Sequence, residues 1–442
     1  MLLAEMPEMF VAGTGLLVLV GAALILGPVS RRPPRSTATR TGIGGRRTVA
    51  VIATAALTID ISKTSTLGFV IPGMRTEYGI EASTASLLAV GGLSGTAVGA
   101  LLFSRLDARI GRRNCYLVAT LGFTATSLCG TMPDFTGNVV MCFLMGMAVG
   151  GLAPMLITVL SDLFPGRRRG AIVTGLSVVA TAIGYLVAAG SALWLEPVFG
   201  WRVLWLIGAP TGLLLAIATA FVPERRTGTK AKRSRSAAPD LATAWLARNT
   251  LTVRLQRVYA FAIGLTTFGL TTWVPSLSRA GGLSLATANS LLTGAAVVMV
   301  LCAVLLVFAY NRFGPATLTV CLAMCTAVLL VALAVSGWGA AVPWLSAAVL
   351  AVTLLAANTM AAVFLPVAAD FAEDARRVRV AGSVSFFNRL GGLTGPLLLS
   401  LIVSSLTEVL VAIAMLALLC GTVAWYTSHR YRLLQKSTSA LD

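Results

Sequence analysis

Residues 50–74 read AVIATAALTIDISKTSTLGFVIPGM. The run is apolar and long enough to cross a bilayer, for which about 20 residues suffice. Yet Asp60 and Lys63 stand near its middle. A charge at that depth costs roughly 2.5–3.5 kcal/mol on insertion scales, and intramembrane charges mark pathways, relays and binding groups. The stretch therefore reads as a membrane helix with a task, and the rest of the chain is read outward from it.

The chain has 442 residues, of which 57% are hydrophobic and 11% charged. Soluble domains carry about 25% charged residues, so this is a polytopic membrane protein. Its long apolar runs are those of helices, not the alternating ten-residue strands of a barrel. The net charge of +18 would suggest nucleic acid in a soluble chain. Here the cations lie in short loops between spans, where they set membrane orientation and meet anionic headgroups, so no nucleic-acid partner is expected. Seven cysteines, none in a CxxC pair, and a single histidine, His429, argue against a disulfide framework or a metal site. No GxxxxGK[ST] loop is present, so there is no sign of an ATP-driven pump; no cofactor and no enzymatic activity are expected.

Candidate spans cover 48–74, 84–104, 113–131, 137–161, 170–193, 202–222, 257–277, 285–310, 315–336, 342–368, 380–404 and 407–427. Loops between them alternate in charge. RLDARIGRR (105–113), PGRRRG (165–170), the 223–256 segment, NRFG (311–314), EDARRVR (373–379) and HRYR (429–432) are basic, and the intervening loops hold almost no Arg or Lys. The positive-inside rule puts the basic set in the cytoplasm. An apolar run at 9–27 precedes an arginine-rich segment free of acids. It reads as an extra N-terminal transmembrane helix with its N-terminus outside, or else as sequence upstream of a later start. The expected organisation is then 1–47 extra helix and basic linker, 48–222 first six-helix bundle, 223–256 basic cytoplasmic linker, 257–428 second six-helix bundle and 429–442 cytoplasmic tail. Internal spacing supports two halves on one plan. ARIG (108–111) and NRFG (311–314) are offset by 203 (314 − 111), and Gly175 and Gly184 match Gly382 and Gly391 at an offset of 207 (391 − 184). Such repeats with a midplane site belong to secondary transporters.

Several patches over 48–430 then resemble the major facilitator superfamily. GALLFSRLDARIGRR (99–113) is similar to its loop between helices 2 and 3, with Arg109, Gly111, Arg112 and Arg113 matching. Ser104 replaces the first glycine of that pattern, and Ala108 stands where the acid belongs, Asp107 falling one residue early. GGLAPMLITVLSDLFPGRRRG (150–170) resembles the end of helix 4 in metabolite and sugar porters, and Phe199-Gly200-Trp201-Arg202 the start of helix 6. The opening stretch resembles helix 1 of the acid:proton symporter branch at Asp60, Gly68 and Pro72, with Lys63 as a departure. The resemblance implies an all-α major facilitator fold: 12 transmembrane helices in two six-helix bundles. It implies a monomer in the bacterial inner membrane that moves a small molecule by alternating access. It also implies gating roles for Asp107, Arg109, Arg112, Asp162 and Asp370.

Within the apolar interiors only Asp60, Lys63 and Arg389 are ordinarily charged. At 1.5 Å per residue, Asp60 and Arg389 both lie ~15 Å deep. Asp60 and Lys63, three apart, either neutralise each other or serve separately. In the functional reading Asp60 exchanges a proton. Lys63 and Arg389 meet an anionic substrate, with Asn388, Asn358 and Trp273 as weaker contacts. Arginine suits a carboxylate because its planar fork donates two parallel hydrogen bonds. The expected activity is proton-coupled uptake of a small organic anion, and the alternative is proton-driven export of a drug or natural product.

Overall fold

The computed structural model describes residues 45–164, 169–222, 250–280, 285–336, 343–370, 377–402 and 406–438. The 9–27 segment and the region around Trp245 lie outside these residues. Among those described every regular element is helical. In chain order they are α1 (Arg46–Tyr78), α2 (Ala82–Ile110), α3 (Arg112–Thr126), α4 (Phe135–Gly150), α5 (Leu152–Leu163), α6 (Arg169–Trp194) and α7 (Gly208–Ala218). The second half holds α8 (Thr250–Ala280), α9 (Leu285–Phe313), α10 (Pro315–Ser336), α11 (Pro343–Asp370), α12 (Arg377–Ile402) and α13 (Leu406–Thr438). Short turns at Glu196–Phe199 and Val203–Leu206 lead into α7.

Two boundaries differ most from the sequence expectation. Helix α8 starts at Thr250, seven residues before 257, and α13 continues to Thr438 through the expected tail. Two spans are also broken. Span 4 divides at Gly151 into α4 and α5, and span 6 divides at Ile207 ahead of α7. Both breaks lie three residues before a proline. Pro154 and Pro210 lack an amide hydrogen, and each ring crowds the carbonyl four residues back, at Gly150 and Leu206. Each break falls one residue after that carbonyl.

Among the described residues five stretches are long and apolar enough to cross a membrane by length and composition: Thr84–Asp107, Phe135–Leu163 (α4 and α5 together), Ile172–Trp194, Pro315–Ser336 and Leu410–His429. Helix α1 carries Asp60 and Lys63 in its middle. On α9 the large side chains Leu301, Leu305 and Phe308 form an outward stripe at i, i+4 and i+7. An apolar stripe on the outside suits lipid rather than water.

Packing follows small residues and the internal repeat. Helix α2 lies against α4, where a Cβ on Gly95 or Gly99 would strike the carbonyls of Phe143 and Met147, and one on Gly146 or Gly150 those of Gly92 and Thr96. Backbones this close gain dispersion energy and need no hydrophobic driving force. Helix α6 meets α1 where Gly184 faces the Thr58 carbonyl, and α12 meets α8 where Gly391 faces the Phe261 carbonyl. These two contacts are related by offsets of 207 and 203. The short connections repeat as well: Gly111 between α2 and α3 has φ 84°, and Gly314 between α9 and α10 has φ 82°. Positive φ at these sharp reversals is what glycine supplies without steric cost. Across the halves, α6 packs on α9 and α11, and α2 packs on α12.

Candidate functional site: a cavity between the two halves

A cavity of about 120 Å³ lies where the halves meet. From the first half, α1 contributes Asp60, Ile61, Thr64 and Ser65, α5 contributes Ala153 and Ile157, and α6 contributes Ser177 and Thr181. From the second half come Thr267 and Phe268 on α8, Asn358 on α11, and Asn388 and Arg389 on α12.

Asp60 and Arg389 face each other across it. Arg389 Nη2 is 3.9 Å from Asp60 Oδ2, and the two side chains are 11% and 0% exposed. That distance is an ion pair but too long for a hydrogen bond. Neither oxygen of Asp60 has a hydrogen-bond partner among the described residues, and neither does Nε of Arg389. Buried charges usually satisfy their remaining lone pairs and protons as well as meeting each other. Here both retain unused capacity, directed at a cavity. The Arg389 guanidinium also lies over the ring of Phe268, with 5.5 Å from Cζ to its centroid. The cation–π contact steers the guanidinium without using its N–H groups.

The other expected residues divide. Asn388 Nδ2 donates to the Ala260 carbonyl at 3.2 Å and Asn358 Nδ2 to that of Leu354 at 3.0 Å, which leaves their amide oxygens as acceptors for the cavity. The side chain of Trp273 lies outside the described residues. Lys63 is not among the cavity's lining residues. Its Nζ donates to the carbonyls of Leu204 at 2.6 Å and Trp205 at 3.2 Å, so the mutual neutralisation of Asp60 and Lys63 does not describe this arrangement.

At the end of the molecule bearing the basic loops, Arg112 Nη2 pairs with Asp162 Oδ2 at 2.9 Å and ties the start of α3 to the end of α5. Asp107 is buried nearby in sequence, 5% exposed, while Arg109 is exposed. The side chain of Asp370 lies outside the described residues. Close by, Gly382 of α12 rests on Ser104 of α2, with 2.7 Å from a Cβ built there to the Ser104 Cβ. Ser104 is the departure from the family's glycine, and Gly382 supplies the small partner instead. At this level the halves are in contact.

At the opposite end Arg202 donates to Glu77 Oε1 at 2.6 Å, to Tyr78 Oη at 3.1 Å and to the carbonyls of Gly130 and Met132 at 2.7 and 2.9 Å. Trp201 Nε1 donates to Glu77 Oε2 at 2.6 Å. This clasp joins the end of α1 to the entry of span 6. The Arg202 hydrogen bond, seconded by that of Trp201, holds the Glu77 carboxyl below the usual carboxylate range.

Ser177, Thr181 and Phe268 are among the lining residues that sequence reasoning passed over. Ser177 and Thr181 carried a signal, two hydroxyls one turn apart on a largely apolar helix. Phe268 carried none, since an aromatic on an apolar span is ordinarily packing.

The profile described as Major Facilitator Superfamily matches residues 52–282. This chain belongs to that superfamily. Its sequence is similar to the niacin transporter NiaP of Acinetobacter baylyi, 26% identical over 37% of this chain and 38% of that one. It is also similar to the 4-hydroxybenzoate transporter PcaK of Pseudomonas aeruginosa, 28% identical over 58% of this chain and 64% of that one. The chain thus spans less than two thirds of either relative's length. In fold it is similar to the human organic anion transporter MFSD10, with a TM-score of 0.66 at 17% identity, over 89% of this chain and 100% of that one. The fold is therefore the facilitator fold, as the sequence implied.

Proposed function

We propose that this facilitator imports a small organic anion of the aromatic-carboxylate class across the bacterial inner membrane, driven by protons carried on Asp60. One observation carries this reading. A buried carboxylate and a buried guanidinium, one from each half, lie 3.9 Å apart beside a cavity, with hydrogen-bonding capacity left over on both. A substrate carboxylate takes the two parallel N–H groups of Arg389, and the flat ring it carries lies against Phe268. Asp60 then loses its cationic partner to the substrate, and a proton replaces that partner. Substrate and proton thus enter as a pair. Relatives named for niacin and 4-hydroxybenzoate, both aromatic carboxylates, support the substrate class.

The same reading gives the halves alternating access about this cavity. Contact between α2 and α12, with the Arg112–Asp162 pair beside it, acts as the cytoplasmic gate, and the C-terminus is cytoplasmic. The test uses purified protein in proteoliposomes with labelled 4-hydroxybenzoate or nicotinate outside and the lumen alkaline. Accumulation that collapses with a protonophore supports the reading. With the label loaded in the lumen instead, efflux driven by the same gradient overturns it in favour of export.

A further inference from the structure

Helix α1 carries its two buried charges to opposite partners. Three residues along a helix turn the side chains about 60° apart, and that angle separates them. Asp60 points across to the second half. Lys63, 5% exposed, turns back into the first half and donates to the carbonyls of Leu204 and Trp205. Those carbonyls lie just before the break in span 6 ahead of Pro210, where regular helix bonding stops at Ile207. The lysine stem runs past Gly208, where a Cβ would lie 2.9 Å from Lys63 Cε and would collide with Ser127 Oγ. The break, the glycine beside it and the ammonium therefore fit one another. An ammonium has three hydrogens, and here two are given to backbone acceptors away from the cavity.

We infer that Lys63 is a positioning residue rather than a substrate ligand: its ammonium clamps α1 to the broken sixth span, and the clamp keeps Asp60 turned across the halves toward Arg389. The contact stands by itself; its consequence for coupling rests on the transport function proposed above. A helix that bears a proton carrier on one face must not rotate when that carrier changes charge. A donor fixed to carbonyls acts as a pin because backbone acceptors do not titrate. A lysine–carboxylate pair on α1 itself would give no such anchor, since both groups would turn together.

Hydrogen exchange on the full chain in nanodiscs reads the clamp directly. Lys63→Met keeps the stem and removes the donor. Exchange over residues 203–209 should rise about tenfold or more, as loss of charge-assisted hydrogen bonds entails, while exchange in the α2–α4 contact stays unchanged. Gly208→Ala, which leaves the charge in place and crowds its stem, should loosen the same residues; it carries the test if Lys63→Met does not fold. Unaltered exchange over 203–209 in a folded variant overturns the clamp. In proteoliposomes Lys63→Met should lower the maximal rate of gradient-driven 4-hydroxybenzoate uptake about tenfold at unchanged KM. A raised KM at unchanged maximal rate overturns the positioning role and makes Lys63 a substrate contact. If the wild-type protein carries neither 4-hydroxybenzoate nor nicotinate, the transport reading fails, and the exchange result still decides the clamp.

Discussion

Replacing Asp60 by asparagine mimics the protonated acid permanently and changes almost nothing in shape. Asp60 Oδ2 and Arg389 Nη2 are 3.9 Å apart. Unit charges at that distance attract by about 4 kcal/mol at the effective dielectric constant of ~20 that describes protein sites. Removing the term shifts the balance between joined and parted halves by about a thousandfold, since each 1.4 kcal/mol is a factor of ten. It also leaves Arg389 without its charge partner in a buried place, which favours any anion that reaches the cavity. Asp60→Asn should therefore bind 4-hydroxybenzoate at least as well as wild type. It should exchange labelled for unlabelled substrate at a rate close to the wild-type one. It should fail to accumulate substrate against a concentration difference under an imposed proton gradient. The assay is counterflow and gradient-driven uptake in one batch of proteoliposomes. If Asp60→Asn still concentrates the label in proportion to the gradient, the proton travels elsewhere and the reasoning from this pair is refuted.

Three further outcomes are expected. Arg389→Lys retains the charge but loses the fork and the stacking on Phe268, and should weaken carboxylate binding by about 1.5–3 kcal/mol while leaving a carboxamide analogue nearly unaffected; titration calorimetry on both ligands reads the difference. Gly95→Leu drives a side chain onto the Phe143 carbonyl and should cost about 1–3 kcal/mol or more of stability, whereas Gly294→Leu, with open space around the Cβ position, should shift the melting temperature little. Glu77 is held below its ordinary range by Arg202, so its contribution is fully present above the unfolded-state value near 4.3 and is lost as pH falls through the lower folded-state value. The thermal stability of wild type should accordingly drop more steeply than that of Glu77→Gln as the pH is taken from about 5 down to 3, and parallel curves would show that the clasp contributes nothing.

Charge and glycine were the legible parts of this sequence, because each stands for a physical demand that few residues meet. Gly111 and Gly314 sit at positive φ in equivalent reversals, so the spacing of ARIG and NRFG announced a structural repeat. Asp60 and Arg389 could be assigned similar depths by counting residues from the basic ends of their helices, and their side chains lie 3.9 Å apart. The breaks at Gly151 and Ile207 were missed although Pro154 and Pro210 were in plain view. Hydropathy sums side chains and does not register a missing amide. The partners of Lys63 could not be read at all, because a backbone carbonyl has no sequence signature. Its apparent partner, Asp60, was the neighbour in sequence rather than in space. Phe268 was invisible for a similar reason: what distinguishes it is the guanidinium above it, supplied by a helix more than a hundred residues away.

Substrate and proton are proposed to move together through Asp60, and internal pH tests this most directly. Proteoliposomes loaded with a pH-sensitive dye, with equal pH on both sides, receive 4-hydroxybenzoate outside. Wild-type vesicles should acidify as substrate enters, faster than protein-free vesicles, and Asp60→Asn vesicles should follow the protein-free rate. Protein-dependent entry of substrate with no protein-dependent acidification would contradict the account.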